Sequence, residues 1–138
     1  MVILVDAGPL LALFDPRDAA HLRVTPLFES LRRDRLVIPA PVIPELAYFL
    51  PQRVGVTAEV RLLHGIAGGE IPVIDPISAD YSRAAWFVEK YANFPLGTVD
   101  ALIAAMAERL GVTTLFTLDQ RHFGAIQPAH CERFTLVP

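Results

Sequence analysis

Val2-Ile3-Leu4-Val5 carries no polar residue in four successive positions. Consecutive side chains of a strand leave opposite faces, so a strand with one face in water alternates apolar and polar residues. A strand that is apolar throughout needs cover on both faces, as at the centre of a parallel sheet with helices above and below. That run therefore restricts the chain to a layered α/β arrangement. Leu36-Val37-Ile38 ending at Pro39, Ile71-Pro72-Val73-Ile74, Val112 to Leu118 and Phe134 to Val137 are further short strand-like segments. Helical patterns separate them. Gly8-Pro9 turns into a short apolar helix over Leu10 to Phe14, which Asp15-Pro16 breaks, and Asp18 is suited to N-cap a helix to about Arg33. Pro26 should kink or restart that helix. Further helices are expected over 42–51, 57–67 and 79–93, and from Thr98 as N-cap to Leu110, closed by Gly111. Strands alternating with helices predict a three-layer α/β sandwich with a mostly parallel central sheet, and residues 1–138 as a single domain.

Four carboxylates stand against this apolar framework. Asp6 ends the first strand run, and Asp119 follows Leu115-Phe116-Thr117-Leu118. Glu45 lies inside Val42-Ile43-Pro44-Glu45-Leu46-Ala47-Tyr48-Phe49-Leu50, where Leu46, Phe49 and Leu50 leave it little solvated face. Asp100 opens the Ala-rich helix Val99 to Ala107. In open parallel sheets ligands bind beyond the carboxyl ends of the strands, and Asp6 and Asp119 occupy that position on two strands. Asp100 sits in a first helical turn, and Glu45 near the start of the helix after the second strand, at the same sheet edge. Acids gathered there repel one another unless a hard divalent cation offsets them, which points to metal-dependent cleavage of phosphodiesters. Taken singly, each has a plainer explanation: an Asx turn for Asp6, helix-dipole stabilisation for Asp100, an N-cap for Asp119. Asp15, Asp75 and Asp80 neighbour turns or helix starts and are accounted for by capping.

Net charge is −3, which sits poorly with an anionic partner. Setting the four acids aside leaves 11 acidic against 12 basic residues, so the remaining surface can carry a modest basic patch. Apart from Lys90 the basic residues are arginines, which suit phosphate contacts. Charged residues make up 20% of the chain and hydrophobic ones 53%, which points to extensive burial or a large interface. No apolar run approaches the roughly 20 residues of a membrane span, and no basic segment precedes the first one, so neither a membrane anchor nor a secretion signal is expected. Cys131 is alone, which excludes an internal disulfide and fits a reducing cytoplasm.

Val5-Asp6, Pro44-Glu45-Leu46, Val99-Asp100-Ala101-Leu102-Ile103-Ala104 and Thr117-Leu118-Asp119, in this order and spacing, resemble the motifs of PIN-domain ribonucleases. The similarity is greatest to the VapC toxins of toxin–antitoxin modules and extends through Arg121-His122-Phe123 to the closing Phe134-Thr135-Leu136-Val137-Pro138. It implies a PIN-like fold and an endoribonuclease dependent on Mg²⁺ or Mn²⁺, inhibited by a cognate antitoxin protein and usually a homodimer. Asp6, Glu45, Asp100 and Asp119 become its catalytic, metal-holding quartet. In that scheme Asp6 and Asp100 are direct ligands, Glu45 binds metal or orients water, and Asp119 acts through water. The chain has Ala7-Gly8 where the family often has Ser or Thr after the first acid. It also has Arg121 where a fifth acid often stands, which makes the rim more basic.

Arg121, His122 and Thr117 are candidate contacts at the substrate rim, although a β-branched residue such as Thr117 needs no function in a strand. The Arg32-Arg33-Arg35 cluster reads as a solvated helix end, and Trp86 and Phe87 as core or dimer contacts. The helix around Val42 to Leu50 is apolar nearly all round, which points to cover by a partner. A competing function is a PIN-like module without activity that only binds protein or RNA. A phosphoacceptor receiver domain would need adjacent acids at the first strand and a late lysine, but only Lys90 is present. A dinucleotide fold is excluded because no Gly-x-Gly-x-x-Gly follows the first strand.

Overall fold

The all-apolar segment forms β1 (Val2–Val5), with Ile3, Leu4 and Val5 at most 1% exposed. A computed structural model describes residues 1–31 and 35–138. On one side of β1 lies β2 (Arg35–Pro39), followed by β3 (Val73–Ile74); on the other lies β4 (Thr114–Phe116), followed by β5 (Thr135–Val137). The order is therefore β3-β2-β1-β4-β5, and every pairing is parallel. Parallel neighbours require crossover connections, which the helices supply. These are α1 (Ala7–Phe14), α2 (His21–Leu31), α3 (Ile43–Arg53), α4 (Val56–Ala67), α5 (Ser78–Lys90), α6 (Thr98–Leu110) and α7 (Gln120–Ala125). A 3-10 turn, Ala40–Val42, leads into α3.

The chain winds outward from β1 to β2 and β3, then returns to place β4 on the other flank of β1. The direction of winding thus reverses between β1 and β4, whose register pairs Val5 with Phe116. Helices leaving those two strands diverge, so a crevice opens at their carboxyl ends. The core beneath it includes Phe116, Leu115, Phe123, Met106 and Ile103, all at most 1% exposed. α6 is its spine: Ala101 through Ala107 are all buried, and the small alanines let the helix lie close against its neighbours.

Several expected boundaries shift. Helix α1 starts at Ala7 rather than Leu10, because the Asp6 carboxylate accepts from the Ala7 N–H at 2.8 Å and begins the helix before Gly8-Pro9. Gly97, not Thr98, is the cap residue of α6; its carbonyl accepts from the Ala101 N–H at 3.0 Å and Thr98 lies within the helix. Pro26 does not restart α2, which runs through it from His21 to Leu31. The carbonyl it deprives of a donor belongs to Leu22, whose residue is 86% exposed, and water can take the donor's place. Asp18 accepts from the Ala20 N–H at 2.8 Å just ahead of α2. The helix end expected at Arg33, and Arg32 and Arg33 of the basic cluster, lie outside the described residues. Strand β4 stops at Phe116, so Thr117 and Leu118 belong to the loop over the crevice. Among the described residues, no helix is long and apolar enough to cross a membrane.

Candidate active site

Because Val5 pairs with Phe116, the next residues on the two strands emerge together. The Asp6 N–H donates to the Phe116 carbonyl at 2.9 Å, and the Thr117 hydroxyl donates to Asp6 Oδ2 at 2.8 Å. Asp6 Oδ1 caps α1. The plain role expected for Asp6 as a local turn former and its place in the crevice therefore coexist, one oxygen serving each. Thr117 is 1% exposed, and its oxygen also accepts from the Asp119 N–H at 3.0 Å. A single hydroxyl thus fixes the first acid and the backbone of the last.

Asp119 caps α7. Its Oδ1 accepts from the His122 N–H at 2.9 Å, and its Oδ2 lies 2.8 Å from His122 Nδ1. The imidazole is held in turn by Phe94, whose ring centroid is 5.1 Å away, in the connection between α5 and α6. Asp100 enters from the first turn of α6, with Asp119 and His122 close by; one ligand atom of each lies within 4.8 Å of the other two. The two carboxylates and an imidazole match the donor set of a divalent cation such as Mn²⁺, and carboxylates alone that of Mg²⁺.

The electrostatics agree with this proximity. Burial, reinforced by the charges of Asp6 and Asp119, pushes the Asp100 carboxyl up to about 6. Glu45 adds to the same effect and His122 opposes it. Asp6 is also raised, chiefly by burial, with the Thr117 and Ala7 hydrogen bonds pulling the other way. Glu45 is raised by partial desolvation and then by the Asp6 charge. All four acids therefore share one field. An electrostatic cluster with raised carboxyls and few cations is the condition under which a divalent ion binds best.

Glu45 itself corrects an expectation. Leu46 and Leu50 point into the core at 0% exposure and Phe49 is half-buried, which turns Pro44, Glu45 and Tyr48 outward. Glu45 is exposed at the edge of the crevice rather than enclosed by its helix. Helix α3 does keep an outward apolar element in Tyr48, which is 62% exposed. Phe87 is fully buried, whereas Trp86 is 42% exposed between Arg83 and Lys90.

Arg121 makes no ion pair with Asp119 or Glu132 among the described residues; its guanidinium lies 5.1 Å over the Phe94 ring. Two contacts escaped the sequence, one at the site and one in the framework behind it. Phe94, in an irregular segment, has no periodicity to mark it. Asp80 looked like a helix-start acid and does accept from the Ile77 N–H at 2.8 Å, but it is also buried in a 2.8 Å ion pair with Arg109 that joins α5 to α6.

Residues 3–127 match the PIN domain family. Ribonuclease VapC26 of Mycobacterium tuberculosis is 37% identical over 136 residues, spanning 99% of this chain and 100% of that protein. Two solved structures share the fold. VapC20 of M. tuberculosis, described as a sarcin–ricin loop cleaving toxin, superposes with a TM-score of 0.75 at 19% identity, covering 89% of this chain and 94% of its own. VapBC2 of Rickettsia felis, bound to a DNA fragment from their promoter, superposes with a TM-score of 0.71 at 17% identity over 99% and 97%. The sheet order, the acidic crevice at its point of reversal and the sequence relationship agree, and the chain belongs to the PIN-domain family.

Proposed function

We propose that this protein is a divalent-metal-dependent endoribonuclease and the toxin of a toxin–antitoxin pair. One observation carries the proposal: acids from four separate elements share a crevice in which Asp100 is pushed up to about 6 by burial and its acidic neighbours. A fold gains nothing in stability from that repulsion, so the cluster is better explained by an ion it binds. The relative named Ribonuclease VapC26 supports RNA as the substrate, and a toxin–antitoxin complex from Klebsiella pneumoniae that shares the fold supports a protein antitoxin.

Bound Mg²⁺ or Mn²⁺ would supply Lewis acidity, making water easier to deprotonate and offsetting charge on the phosphate. Asp6 and Asp100 would hold it directly. Thr117 keeps one Asp6 oxygen oriented into the crevice, and His122 keeps Asp119 from rotating, so both stay poised before substrate arrives. Glu45, at the open edge with its carboxyl raised, is placed to orient the attacking water and receive its proton. Water adds to phosphorus, the opposite P–O bond breaks, and the departing oxygen takes a proton from solvent. His122 serves as a positioning residue, since its Nδ1 is committed to Asp119.

Total RNA incubated with purified protein should be cut with Mn²⁺ or Mg²⁺ and left intact with EDTA or with Asp100→Asn. Binding without cleavage under all these conditions would support the inactive-module alternative, and cleavage that survives both EDTA and Asp100→Asn would overturn the metal site.

A further inference from the structure

A second, polar cavity of about 320 Å³ opens beside the acidic crevice and shares Asp119 and Thr117 with it. Arg23 of α2 and Arg121 of α7 line it, together with Gln120 and Pro138. Among the described residues neither arginine pairs with a carboxylate, although Arg17, Arg53, Arg83 and Arg109 all do. Arg121 is further restrained by its stacking on Phe94. Two cations without anionic partners, brought from separate elements to one cavity next to a cleavage site, are arranged to receive an anion. The volume lies at the lower end of that typical for small-ligand clefts, about 300 to 1,000 Å³, enough for one nucleotide unit.

We propose that Arg23 and Arg121 cradle the RNA phosphate adjacent to the one that is cut, fixing which way the strand runs through the crevice. The proposal rests on the ribonuclease assignment and adds to it a binding site that the acids do not supply. An anion this close to Asp119 is disfavoured while the acids are unneutralised. RNA affinity should therefore rise when a divalent cation is present, and more in the wild type than in a variant lacking the two arginines.

The test uses a labelled single-stranded RNA of mixed sequence, about 12 nucleotides long, with Ca²⁺ replacing the activating ion so that the strand stays whole. Anisotropy titrations at about 50 and 200 mM salt give the salt slope, which falls by about 0.7 for each phosphate of a single strand that the protein no longer neutralises. Because both arginines hold the same phosphate, Arg23→Ala and Arg121→Ala should each lower the slope by part of that amount and the double variant by about 0.7, with unchanged thermal unfolding. Wild-type slopes in both single variants overturn the proposal. So does a change for Arg121→Ala alone, which would put the phosphate over Phe94 rather than in the cavity. Arg23→Lys and Arg121→Lys keep the charge but lose the planar fork. They should retain the slope while binding more weakly, and they decide the matter if the alanine variants do not fold, because wild-type affinity in both would overturn the proposal. If the variants instead lose affinity for an antitoxin and none for RNA, the cavity serves a protein and the proposal is wrong. The ribonuclease assignment fails separately: wild type that binds RNA through the two arginines yet leaves it intact with Mn²⁺ or Mg²⁺ would refute it without touching the arginine site.

Discussion

Asp100→Asn should make the metal-free protein more stable near neutral pH, and the gain should vanish in acid. The wild-type carboxyl titrates at about 6 in the fold against an ordinary 3.8 in the unfolded chain. Between those values the native state holds a proton that the unfolded state has released, so stability falls as pH rises through this window. A displacement of that size corresponds to about 3 kcal/mol if felt in full, since each pH unit is worth about 1.36 kcal/mol. Asp100 is only partly shielded from solvent, which weakens both the burial penalty and the repulsion, so about 1 to 2 kcal/mol is the expected gain at pH 7.5. Asn keeps the shape and removes the charge. At pH 4.5 the wild-type carboxyl is already mostly protonated, and the two proteins should unfold within about 0.5 kcal/mol of each other. Urea denaturation in EDTA at both pH values measures this. Equal differences at the two pH values, or a less stable variant at pH 7.5, would refute the repulsive cluster.

Thr117→Val preserves volume but leaves the Asp119 N–H and one Asp6 oxygen without their hydroxyl partner, so it should cost about 1 to 3 kcal/mol in denaturant unfolding and reduce cleavage as well. Asp80→Ala should cost about 2 to 4 kcal/mol, less than for a fully enclosed pair because Arg109 remains 29% exposed, while Mn²⁺ affinity measured by calorimetry stays unchanged because the α5–α6 pair is remote in role from the acids.

The layered fold was legible because its signals are local. Val2 to Val5 can only be a covered strand, and the Leu102, Ile103, Met106 stripe of α6 can only be a buried face. The cap of α6 was misplaced by one residue because Thr98 has the better side chain, while Gly97 has the extended backbone that the position uses. Asp6, Asp100 and Asp119 each had a plainer local explanation and stood out only jointly, by their places at strand ends and a helix start on one sheet edge. Glu45 was misjudged because its own helix looked closed around it. A helix with apolar residues on several sides still leaves one side open once the core has claimed Leu46 and Leu50, and sequence alone does not say which residues the core takes. The Asp80–Arg109 pair and the packing of Phe94 on His122 join residues distant in sequence, and only the folded chain brings them together.

Calorimetric titration of Mn²⁺ into the metal-free wild type, beside Asp6→Asn, Glu45→Gln, Asp100→Asn and Asp119→Asn, tests most directly whether the converging acids form one cation site. The wild type should bind with release of protons near pH 6, as Asp100 loses the proton that its surroundings made it keep. Asp6→Asn and Asp100→Asn should weaken binding by about tenfold or more, and the other two less. Failure of the wild type to bind, or affinities unchanged across all four variants, would contradict it.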